Sequence, residues 1–135
     1  PLEVQGPINL DVDTEYTLTY EILNALDPAD VEDIGEEILE EDNEHQIFFS
    51  FTTDAFASPT GNGNVDTASD DINYDDEDEN GCNVGLETSW TTGSDAGDGG
   101  TFRVNLQHQP DVKTCSTGSN DGDTDFDLTF VLNID

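Results

Sequence analysis

Six segments of this chain alternate apolar and polar residues with a period of two, and that alternation restricts the fold more than any other feature. In residues 14–23, Tyr16, Leu18, Tyr20 and Ile22 share one face. In residues 45–53 the inward set is His45, Ile47, Phe49 and Phe51. Residues 83–92 alternate through Val84, Leu86, Thr88 and Trp90, and residues 101–109 through Phe102, Val104, Leu106 and His108. Residues 125–134 alternate through Phe126, Leu128, Phe130, Leu132 and Ile134, and residues 8–12 through Ile8, Leu10 and Val12. Strands with one apolar face predict an all-β chain, an antiparallel β-sandwich of the immunoglobulin-like kind. A length of 135 residues predicts a single domain.

One stretch departs from that period. Asp27 and Pro28 have the chemistry of a helix N-cap and first position. Val31, Ile34, Ile38 and Leu39 then fall at helical spacing, opposite Glu32, Glu36, Glu37, Glu40 and Glu41. The pattern predicts one short acidic helix between the second and third strands, its apolar stripe docked on the sheets. Three polar loops separate the remaining strands, at residues 58–81, 93–100 and 114–124. The first is long for a small domain.

Charge sets the surroundings. The chain carries 33 Asp and Glu against two basic residues, Arg103 and Lys113, for a net charge of −31. Nucleic acid and anionic membrane surfaces require clustered Lys and Arg, so both are excluded as partners. No apolar run reaches the roughly 18–20 residues of a membrane span. With only 33% hydrophobic residues, such a charge on its own would favour a disordered chain. Folding therefore calls for cations that screen or bind the carboxylates, as seawater supplies. The chain has no Met and starts at Pro1, which leads to the expectation of a processed form.

The two cysteines fit a hairpin. Pairing residues 83–92 with 101–109 sets Trp90 opposite Phe102, Thr88 opposite Val104, Leu86 opposite Leu106 and Val84 opposite His108. Cys82 then lies at the open end, with Cys115 a short return away. A disulfide between them points outside the cytoplasm. Two free thiols or half a metal site are the alternatives, although zinc would want histidines nearby.

Alternating carboxylates in Asp75, Asp76 and Asp78, and in Asn120, Asp121, Asp123 and Asp125, are the candidate calcium ligands. Calcium takes six to eight oxygens, often from such loops, yet no EF-hand spacing is present. His45 and His108 both continue an inward phase at a strand end. They read either as a shared metal or proton-linked site, or as two half-buried imidazoles hydrogen-bonded at the rim. Nearby carboxylates favour their charged forms. No nucleophile elbow, phosphate loop or HExxH appears, and among so many carboxylates no single pair stands out as a glycosidase dyad, so the chain reads as non-catalytic. Trp90, Tyr16, Tyr20 and Tyr74 could stack on sugars, but Trp90 is in phase with the core.

The runs Asp42-Asn43-Glu44-His45-Gln46-Ile47-Phe48-Phe49, Leu106-Gln107-His108-Gln109-Pro110 and Gly122-Asp123-Thr124-Asp125-Phe126-Asp127-Leu128-Thr129-Phe130 together resemble a family of small acidic surface lipoproteins of marine Bacteroidota. The resemblance spans roughly residues 8–134 and implies an exported all-β protein with no established activity. It also implies a lipid-bearing cysteine and a leading strand or two, which this sequence lacks.

These readings converge on an extracellular or outer-surface structural protein, a filament or surface-layer subunit whose partners are copies of itself or other surface proteins. A calcium-dependent or polysaccharide-binding surface module, or an accessory subunit of an outer-membrane complex, is the alternative. Residues 1–12, with Leu2, Val4, Ile8 and Leu10 in alternation and Pro1 and Pro7 opposing helix, form either a strand exchanged with a neighbour or an edge strand of their own domain.

Overall fold

The computed structural model describes residues 3–135. Pro1 and Leu2, part of the segment expected to be exchanged or to form an edge, lie outside the described residues. The structure is mostly β, with largely antiparallel sheets and one α-helix among the described residues. One sheet runs in the order β1 (Ile8–Leu10), β9 (Asp123–Ile134), β8 (Gly97–His108), β5 (His45–Phe51). A second runs β2 (Glu15–Leu18), β7 (Thr88–Thr92), β6 (Phe56–Ser58). A two-stranded ribbon joins β3 (Leu23–Asn24) to β4 (Glu32–Asp33) and leads into α1 (Ile34–Glu40).

The two larger sheets meet through aromatic side chains. Trp90 of β7 lies 5.2 Å from Phe49 of β5 and 5.0 Å from both Phe102 of β8 and Phe56 of β6, centroid to centroid. All are buried, and edge-on contacts of this kind add to a large area term. The indole N–H of Trp90 donates to Thr88 Oγ1 at 2.7 Å, so its polar end is satisfied inside.

The expected hairpin between residues 83–92 and 101–109 is not formed. β7 pairs with β2 and β6, whereas β8 lies between β5 and β9. Residues 93–96 carry the chain from one sheet to the other. The competing partner offers more: β9 sets Phe130, Leu128 and Phe126 opposite Phe102, Val104 and Leu106 in the same apolar phase along a strand of 12 residues. Trp90 and Phe102 do meet, but across the core between sheets rather than side by side in one.

The helix also begins later than the pattern predicted. Asp27 accepts the backbone N–H of Ala29 and closes a turn, and residues 32–33 are drawn into pairing with β3. Asp33 is the N-cap instead, accepting the N–H of Glu36 at 3.1 Å. Of the expected stripe only Ile38 is fully buried; Ile34 is half-buried, and Val31 and Leu39 are exposed.

β1 lies parallel to β9 of the same chain, Ile8 beside Leu132 and Leu10 beside Ile134. In the single chain this segment thus folds back as an edge strand. At the opposite edge, the long loop seals β5: Phe49 N–H donates to Asn64 Oδ1, Phe51 N–H to the Asn62 carbonyl and Ile47 N–H to the Val84 carbonyl. Gly63 sits at φ 98° directly against the Phe49 carbonyl, where a β-carbon would collide. Tyr74 donates to the Ile47 carbonyl at 2.6 Å, and burial pushes its hydroxyl up to about 12.

Candidate functional site

Two groups of polar side chains stand out from the acidic surface. The first anchors the long loop. Cys82 and Cys115 are disulfide-bonded, with Cα atoms 4.6 Å apart. Beside them, Lys113 Nζ lies 2.9 Å from Asp78 Oδ2, and each side chain is 1 % exposed. Asp78 Oδ1 also accepts the N–H groups of Asn80 and Cys82, and Lys113 donates to the Asp42 carbonyl at 2.8 Å. Burial alone would raise the pKa of Asp78. The Lys113 hydrogen bond and the two backbone donors outweigh it and hold the carboxyl below its usual range.

This group absorbs the first candidate calcium run. Asp76 accepts the N–H groups of Gly85 and Leu86, both at 2.8 Å, and Asp75 accepts the Ser89 hydroxyl. Asp75, Asp76 and Asp78 therefore spend carboxylate oxygens on protein donors. Asp121 accepts the Gly118 N–H on an exposed turn, with Asn120 exposed beside it. The disulfide closes a span of 33 residues, so replacing both cysteines by serine should cost roughly 3–4 kcal/mol. Denaturant midpoints under non-reducing conditions measure it; a loss below about 1 kcal/mol would mean the buried ion pair anchors the loop unaided.

The second group lies at one end of the four-stranded sheet. His45 opens β5 and His108 closes β8, and the two are direct cross-strand partners. Their rings stack with centroids 4.6 Å apart and planes 10° from parallel. The ladder between β8 and β9 shifts register here: Leu106 faces Phe126, but Gln107 faces Thr124, leaving Asp125 as an extra residue. A bulge of this kind re-aims a side chain, and Asp125 Oδ2 comes 3.5 Å from His45 Nε2. His45 Nδ1 lies 3.0 Å from the backbone carbonyl of Glu41, the C-cap of α1. A carbonyl can only accept, so Nδ1 carries a proton. Glu41, His45 and His108 each place one ligand atom within 4.8 Å of the others. Asp123 sits opposite His108 in the ladder.

The structure thus unites His45, His108 and Asp125 and separates them from Asp75, Asp76 and Asp78. Glu41 and Lys113 are the residues the sequence reading missed. Lys113 had a signal, as one of two cations, placed two residues before Cys115. Glu41 had none, because its approach depends on where the helix ends. The aromatic residues considered for sugar stacking turn inward: Trp90 is buried, Tyr16 accepts the Asp11 N–H, and the Tyr20 hydroxyl is buried without a partner.

No helix among the described residues is long and apolar enough to cross a membrane. The geometry defines an acidic, disulfide-linked β protein with a histidine pair at one sheet end. Compared with protein-family models, curated proteins and solved structures, the chain matches none.

Proposed function

We propose that this chain is a non-catalytic structural module of an extracellular surface, an immunoglobulin-like sandwich that assembles by strand pairing between copies. The observation that carries this reading is the outer edge of β9. β8 pairs with one edge of β9, but on the other edge β1 covers only Leu132–Ile134, and no strand among the described residues pairs there with residues 123–131. A largely apolar groove of about 290 Å³ is lined by Phe126, Leu128 and Phe130 of β9, by Val104 of β8 and by residues 20–23. Unpaired backbone over an apolar groove is the arrangement that accepts an added strand.

The N-terminal segment has the matching pattern. Ile8 faces Leu132 in parallel register. The same register carried upstream sets Val4 beside Leu128. The chain's own segment leaves the ladder at the Gly6 bend and at Pro7, which has no N–H to donate. Val4 is 37 % exposed there. The segment of a second copy fits the vacant edge. Asp123 and Asp125 line that edge, so two chains of charge −31 approach only where salt screens them. The disulfide and the unneutralised carboxylates support an oxidising, cation-rich setting outside the cell.

Light scattering and electron microscopy in concentrated sodium chloride test the reading. The full chain should form oligomers or filaments, and deletion of residues 1–6 should abolish them while circular dichroism stays unchanged. A full chain that remains monomeric at all salt concentrations, or assembly indifferent to the deletion, would contradict it.

A further inference from the structure

We infer that His45, His108, Asp125 and Glu41 form a binding site for a divalent transition ion of the zinc class. The argument begins with His45, which is 6 % exposed. Its Nδ1–H is committed to the Glu41 carbonyl, so in the neutral ring Nε2 bears a lone pair. That lone pair faces the anionic Asp125 oxygen at 3.5 Å. Nε2 and the Asp125 carboxylate oxygen, 3.5 Å apart, are at a spacing that two ligand atoms of one metal ion can share. A histidine whose second nitrogen donates to a backbone carbonyl is the usual arrangement of a metal-ligating imidazole, because that bond fixes the tautomer and the ring.

The neighbours supply the remaining ligands. His108 is held opposite His45 by the β5–β8 ladder, so the backbone sets the spacing of the two imidazoles. Glu41, His45 and His108 place one ligand atom each within 4.8 Å of the others, and Asp125, outside that closely spaced set, lies against His45 Nε2. Two nitrogens bound to one tetrahedral ion at about 2.0–2.1 Å stand about 3.3 Å apart. The rings now stack with centroids 4.6 Å apart and planes 10° from parallel, so binding requires the half-buried His108 ring to rotate out of that stack. Gly122, at φ 79°, lets the chain pass against the His108 carbonyl on its way to Asp123 and Asp125.

The donor set selects the ion. Two imidazoles with carboxylates suit zinc, copper, nickel or cobalt, whereas calcium takes oxygen ligands almost exclusively. The surrounding charge favours a cation of either kind, so selectivity rests on the two nitrogens. The site therefore differs in chemistry from the candidate calcium loops and stands independently of strand assembly.

Cobalt(II) is the probe, added to the full chain at neutral pH in excess calcium and high sodium chloride, which occupy the general acidic surface. One equivalent should bind, with visible absorption of a nitrogen-ligated ion, and zinc should displace it. His108→Gln and Asp125→Asn should each weaken binding by at least about tenfold, the scale on which even supporting groups act. Asp70→Asn, an exposed acid outside the site, should leave it unchanged. His108 and Asp125 are both partly exposed, so these variants test the site even if replacing His45 unfolds the chain. Absence of a saturable cobalt event, or equal affinity in His108→Gln and the unaltered chain, would overturn the inference.

Discussion

Replacing Lys113 by methionine is expected to destabilise the chain by about 3–5 kcal/mol, because it strands the carboxylate of Asp78 in the interior. Asp78→Ala should cost a similar amount by stranding the ammonium. The double variant Asp78→Asn with Lys113→Met should recover much of the loss, since a neutral pair leaves no buried charge uncompensated. The other ion pair gives the contrast. Arg103 and Asp127 form a two-point contact, but their side chains are 37 % and 34 % exposed, and removing either should cost no more than about 1 kcal/mol. Urea unfolding of these variants measures all of this; a Lys113→Met loss below about 1 kcal/mol would contradict it.

The same pair carries a pH dependence. The folded-state pKa of Asp78 lies below its ordinary value, so its contribution is complete above the unfolded value of about 3.9 and is lost as pH falls through the lower folded value. The stability difference between the unaltered chain and Asp78→Asn should therefore shrink in acid and remain constant above about pH 5.

Removing cations is the second large effect. Of 33 Asp and Glu side chains, only Asp78 and Asp127 have a Lys or Arg partner among the described residues, and both basic residues are thereby used. The rest repel one another through whatever solvent surrounds them. In low salt with a chelator the chain should lose at least about 2 kcal/mol, or roughly 7 °C of melting temperature at this length. Concentrated sodium chloride should restore it by screening. Recovery by millimolar calcium alone would point to site-bound ions. A melting temperature indifferent to salt and chelator would contradict both mechanisms.

Period-two alternation made the β character legible, and even residues 19–22, which join no ladder, keep the half-buried alternation of Tyr20 and Ile22. Alternation says which face of a strand is apolar, not which strand lies beside it. For that reason alternation alone suggests β7 as the neighbour of β8, whereas β5 and β9 offer longer apolar partners in the same phase. The disulfide was legible although that hairpin does not form, because Cys82 and Cys115 are joined through the loop that Asp78 and Lys113 anchor. The helix start was misplaced because Asp27 and Pro28 suit a turn as well as a cap, and the β3–β4 pairing that decides between them is tertiary. The histidines were legible as inward residues at strand ends. The approach of Asp125 to His45 is not legible in the sequence, because a one-residue bulge that turns a side chain leaves no periodic trace.

Strand pairing between copies is tested most directly by cross-linking a mixture of light and isotopically heavy chains. With a photoreactive residue at position 4, irradiation in concentrated sodium chloride followed by mass spectrometry identifies the partner peptide and the chain it came from. The account predicts light-to-heavy cross-links from position 4 to the peptide containing Phe126, Leu128 and Phe130. Cross-links to that peptide found only within chains of the same label would show that the segment serves its own domain, and would contradict assembly by strand exchange.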